Sequence, residues 1–100
     1  MTVYHESPED LTEKTRDLHR AWRSMIEEIE AIDWYQQRID ATGDAELRAI
    51  LEHNRDEEKE HAMMLLEWIR RNDKGFEKET AAYLFKKGNI AHLEEEREAS

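Results

Sequence analysis

The chain has 100 residues, 40% of them charged, a formal net charge of −10 and no cysteine. This length holds one small domain and leaves no room for a second. The acidic balance argues against binding to nucleic acid or to anionic membranes, and without thiolates any metal must be held by oxygen and imidazole.

One proline, three glycines and abundant Glu, Arg, Leu and Ala predict an all-α fold. Met1 to Leu11 show no basic region followed by an apolar run, and no apolar stretch reaches membrane-spanning length. A soluble, unsecreted, cytoplasmic protein is expected.

The first helix is expected over residues 7–41. Ser7 would be its N-cap and Pro8 its first residue, with Glu9 and Asp10 favouring the positive end of the dipole. Leu11, Leu18, Trp22, Met25, Ile29, Ile32 and Ile39 recur at helical spacing. Thr42-Gly43-Asp44 should reverse the chain, with Gly43 left-handed and Asp44 capping a second helix over 44–72.

Leu47, Leu51, Ala62, Leu65 and Ile69 mark the buried face of that helix, and Asn72-Asp73-Lys74-Gly75 ends it. A short C-terminal helical region is expected over 76–97, broken near Lys87-Gly88-Asn89 and ending in an acidic run. Two helices of about 40 Å cannot enclose a core unaided, so the hairpin should pair with a copy of itself as a four-helix bundle.

Glu58 interrupts the second stripe, seven residues from both Leu51 and Leu65, and His61 lies three residues on. A Glu-x-x-His pair puts both side chains on one face, within reach of one ion. In a chain this rich in glutamate the spacing arises about once by chance, so the weight falls on its position. A carboxylate on a core stripe must be protonated, ion-paired or metal-bound. Glu28 makes a matching irregularity on the first helix, beside Met25 and Ile32.

One chain thus offers half the ligand set of a di-iron carboxylate bundle. Doubled by a two-fold axis, four Glu and two His suit two irons, with positions left open for O₂. The competing reading is a buried polar group, Glu58 and His61 with Arg55, that fixes helix register in a non-enzymatic assembly module holding a structural Zn(II) or Ca(II). Glu27 and Glu30 face other directions and read as solvated, or as a cation-attracting path. Trp34 and Tyr35 read first as packing residues, with the Tyr35 hydroxyl the better placed to support the ligands. His5, His19, His53 and His92 read as surface or packing residues.

The segments Glu27-Glu28-Ile29-Glu30-Ala31-Ile32-Asp33-Trp34-Tyr35 and Asn54-Arg55-Asp56-Glu57-Glu58-Lys59-Glu60-His61 resemble the encapsulated ferritins of bacteria and archaea. The likeness continues through Leu66-Glu67-Trp68-Ile69-Arg70-Arg71-Asn72-Asp73 and Tyr83-Leu84-Phe85. It implies a ferroxidase that oxidises Fe(II) with O₂ at a di-iron centre between two subunits. Glu28, Glu58 and His61 would be its ligands, Ca or Zn its substitutes, Glu27 and Glu30 further metal positions, and Trp34 and Tyr35 its neighbours, Tyr35 counted with the catalytic set. The resemblance also implies homodimers arranged in an annular homodecamer, working as cargo inside an encapsulin shell that stores the iron. Family members end in a flexible extension and a short apolar and basic encapsulation peptide, which Glu98-Ala99-Ser100 does not resemble.

Overall fold

In the computed structural model, residues 4–99 are described; residues 1–3 and Ser100 lie outside them. The described residues are all-α: a 3₁₀ turn over Pro8–Asp10, then α1 (Glu13–Ala41), α2 (Ala45–Asn72), α3 (Lys74–Tyr83) and α4 (Ile90–Ala99). None of these helices is long and apolar enough to cross a membrane.

The start of α1 corrects the expectation at Ser7. Ser7 makes no side-chain cap, and the turn it opens closes at Leu11, whose backbone is extended. Thr12 is the cap, its Oγ1 accepting the Thr15 N–H at 3.1 Å. A helix starts where a side chain takes up one of the four free N–H groups of its first turn, and Thr12, not Ser7, does so.

The reversal after α1 also differs in detail. Thr42 is extended, Gly43 is not among the residues with positive φ, and Asp44 caps α2 by accepting the Leu47 N–H at 2.8 Å. Arg48 closes the corner, donating from Nη2 to the Thr42 carbonyl and from Nε to that of Ile39. The charged side chain satisfies carbonyls that the end of α1 leaves free, which removes the need for a left-handed glycine.

Three cross-links make the hairpin antiparallel along its whole length. Arg48 binds the end of α1, Arg55 Nη1 donates to Gln36 Oε1 at 2.8 Å, and Lys14 Nζ near the start of α1 donates to Asn72 Oδ1 at 2.7 Å. Arg55 is thereby drawn to Gln36 and Asp56, away from the polar pairing with Glu58 and His61 that the register reading supposed.

Asp73 ends α2 and caps α3 with one side chain, accepting the Phe76 N–H at 3.0 Å. Gly75 therefore lies inside the first turn of α3, two residues earlier than expected. Phe76 reaches back to meet Trp22 edge-on at 5.3 Å between ring centroids. The expected 76–97 region is two helices, and its break begins at Leu84, ahead of Lys87-Gly88-Asn89. Leu84 is extended, Phe85 (φ 60°) and Gly88 (φ 95°) are left-handed, and the Asn89 side chain accepts the Ala91 N–H to open α4. Leu93 of α4 is buried.

At the end of α2, Glu67 accepts from Arg70 Nε and Nη2 and from Arg71 Nε, each at 2.7 Å. Hydrogen bonds from the two guanidinium groups pull the Glu67 carboxyl from 4.5 to about 2. A carboxyl more acidic in the folded chain than in the unfolded one stabilises the fold above pH 4.5, and that contribution is lost as pH falls towards 2. The urea midpoint should therefore fall less steeply between pH 4.5 and 2.5 in Glu67→Gln than in wild type; equal slopes would show the three-residue cluster has no part in acid stability.

The molecule is a thin slab with extents of 49 × 43 × 19 Å. Among the described residues only Ala21, Ile39, Ala62, Ile69 and Leu93 form a buried apolar core, while Ile26, Ile29, Trp34, Leu47, Ile50, Met63, Met64 and Trp68 stay exposed. Ile29 and Leu47 were expected on the buried stripes. Two helices in contact cover less of each other's apolar arc than the sequence patterns provide.

Candidate metal centre

The hairpin register brings Glu28 of α1 opposite Glu58 and His61 of α2. One ligand atom from each lies within 4.8 Å of the others. His61 Nδ1 stands 3.6 Å from Glu28 Oε2 and 3.7 Å from Glu58 Oε2. Both carboxylates are about three-quarters covered, with 24% of each side chain exposed, against 41% for His61.

These separations are too long for good hydrogen bonds, and Glu28 Oε2 is buried without a hydrogen-bond partner. A buried, unsatisfied acceptor costs about 1–3 kcal/mol. Two ligands each about 2.1 Å from a common ion stand roughly 3 to 3.5 Å apart, close to the 3.6 and 3.7 Å between His61 Nδ1 and the two carboxylates. Two carboxylates and one imidazole are also the donor set suited to iron, with zinc as a substitute. The residues present therefore fit a metal ion. Among the described residues no Lys or Arg makes an ion pair with Glu28 or Glu58.

The remaining residues singled out in the sequence do not join this group. Glu27 and Glu30 are exposed on α1. Trp34 is half exposed. Tyr35 is partly covered by Arg38, whose guanidinium carbon lies 5.5 Å from the ring centroid, and its hydroxyl makes no hydrogen bond to the three among the described residues. His19 packs on Tyr4 with centroids 4.6 Å apart.

Glu57 is the neighbour that sequence reasoning passed over. Its Oε2 faces His61 Nε2 at 3.9 Å and its Oε1 faces His53 Nε2 at 3.8 Å. The signal was present as i, i+4 spacing on both sides, but Glu57 lies off the apolar stripe that drew notice to Glu58.

The EncFtn-like family model matches residues 3–87. A Rhodospirillum rubrum protein named "Encapsulated ferritin-like protein" is 57% identical over 90 residues, 90% of this chain and 64% of that protein. The chain thus spans under two thirds of that relative's length. A Thermotoga maritima "Ferritin-like protein" is 55% identical over 93 residues, covering 93% of this chain and 82% of its own length. The Myxococcus xanthus "Encapsulin nanocompartment cargo protein EncC" is 47% identical over 58 residues, 57% of this chain and 45% of that one. The crystal structure of protein ne0167 from Nitrosomonas europaea superposes with a TM-score of 0.86 at 58% identity, covering 91% of this chain and all of that one. With most of its length matched by one family model and its fold shared at this identity, the chain belongs to the EncFtn-like family.

Proposed function

We propose that this chain is a ferroxidase. It oxidises Fe(II) to Fe(III) with O₂ at a two-iron centre formed when two copies bring their Glu28, Glu58 and His61 together, and it delivers the ferric product for storage inside an encapsulin shell. The observation that carries this reading is the convergence of the three ligand atoms, with the buried Glu28 Oε2 left without a partner.

One copy supplies a Glu from α1 and a Glu-x-x-His pair from α2. Two copies supply the complete set of a ferritin-like di-iron bundle. The shallow core and the exposed apolar side chains support such pairing. Glu28, Glu58 and His61 of each copy would hold the irons, with Glu28 as the carboxylate from α1 and Glu58 with His61 as the pair from α2. Two Fe(II) would together give two electrons to one O₂, which with two protons from solvent becomes hydrogen peroxide, and the carboxylates would stabilise the higher charge of the two Fe(III). Glu27 and Glu30 would gather cations at the surface, and Trp34 and Tyr35 would border the assembled centre. The family resemblance extends the proposal to dimers closed into an annular decamer. The relatives named as encapsulated or as encapsulin cargo support the shell as partner.

The test is anaerobic Fe(II) loading followed by O₂, with ferric absorbance and particle mass recorded for the wild type and for Glu58→Ala His61→Ala. The wild type should oxidise about two irons per pair of chains rapidly. The variant should be slower by more than about 100-fold, beyond the 10–100-fold typical of losing an outer partner of a ligand. Equal, slow oxidation in both would remove the ferroxidase reading.

A further inference from the structure

Resting on the ligand assignment above, we propose that Glu57 is a positioning residue that holds the His61 proton on Nε2, leaving the Nδ1 electron pair free for the metal. A neutral imidazole carries one N–H and one lone pair, and only the lone pair binds a metal. In this chain the two ring nitrogens face different carboxylates. Nδ1 faces Glu28 and Glu58 at 3.6 and 3.7 Å, and Nε2 faces Glu57 at 3.9 Å.

Before metal arrives, Glu28 and Glu58 compete with it for Nδ1. Both are acceptors, and Glu28 Oε2 is buried with no hydrogen-bond partner, so a proton on Nδ1 would lie nearest two carboxylates, at 3.6 and 3.7 Å, in the form that cannot ligate. Glu57 is the acceptor on the opposite edge. At 3.9 Å it is outside hydrogen-bond range, but 47% of its side chain is exposed, and a rotamer adjustment of about 1 Å closes the contact. His53, one turn earlier, faces the other Glu57 oxygen at 3.8 Å. Carboxylates that take the second N–H of a ligating histidine fix its tautomer and raise its basicity.

The experiment follows the ¹⁵N imidazole shifts of metal-free protein above the imidazole titration range, together with anaerobic Co(II) titration read from visible d–d absorption. It compares the wild type with Glu57→Ala, Glu57→Gln and Glu58→Ala His61→Ala. In Glu57→Ala the His61 shifts should move toward the Nδ1–H form and Co(II) affinity should fall about 10–100-fold. Glu57→Gln should recover most of that affinity, because its amide oxygen still accepts the Nε2–H. Wild-type shifts and affinity in Glu57→Ala, or a Gln variant as weak as Ala, would overturn the role of Glu57. Tight Co(II) binding by Glu58→Ala His61→Ala would instead overturn the ligand assignment itself, a result distinct from either of these.

Discussion

Replacing Glu28 and Glu58 together with leucine should raise the melting temperature of the metal-free protein while removing its response to Fe(II). Both carboxylates are about three-quarters covered, both converge on one imidazole, and Glu28 Oε2 has no hydrogen-bond partner. Leucine at position 58 restores the stripe that runs from Leu51 to Leu65, and at position 28 it extends the apolar edge beside Met25 and Ile32. Relief of a buried unsatisfied acceptor is worth about 1–3 kcal/mol, and in a domain of this size each kcal/mol moves the melting temperature by roughly 4–8 °C. A rise of about 4–24 °C is therefore expected in chelator. Anaerobic Fe(II) at a hundred times its dissociation constant should stabilise the wild type by about 2.7 kcal/mol and leave the double variant unmoved. A melting temperature that falls in chelator would mean that the carboxylates and His61 form a polar group fixing helix register. A rise would mean that stability is given up at these positions for a ligand.

What the sequence made legible follows the range of each interaction. Asp44 as the cap of α2, Asn72 as its end, and the closeness of Glu58 to His61 are settled within one turn of helix, where spacing is geometry. The meeting of Glu28 with that pair depends on the hairpin register, set by the three-residue corner 42–44 and the Arg48 contacts that close it; two interrupted stripes sufficed to anticipate the meeting, though not how the corner was made. Ser7-Pro8 reads as the opening of α1, yet Thr12 caps it, because only the backbone decides which hydroxyl reaches a free N–H. The break between α3 and α4 at Phe85, a non-glycine residue with φ 60°, carries no clear composition signal beyond Gly88. Ile29 and Leu47 match their stripes and are nevertheless exposed, since periodicity reports that a face is apolar and not what covers it.

Glutamate introduced at Ile50 and Met64 together should dissociate the protein into single chains and abolish fast iron oxidation with all three ligands intact. Ile50, Met64 and Trp68 are exposed to 53, 59 and 38%. They are spaced 11, 3 and 4 residues from one to the next through His61, which puts them along the side of α2 that carries the imidazole. In a lone chain a charge at either position is solvated, and helix content should not change. In a pair of copies joined along this side the same charge is buried without a partner, at a cost of several kcal/mol per ion, enough to undo association at micromolar concentration. One copy holds two carboxylates and one imidazole, too few donors for two irons, so oxidation should fall with the loss of mass and regain speed as protein concentration rises. Native mass and ferric absorbance on the same samples decide the matter. A variant that stays associated and oxidises normally would take this side of α2 out of the interface. A variant that is monomeric and still fast would mean that one chain holds a complete centre; parallel loss would mean that association assembles the catalyst.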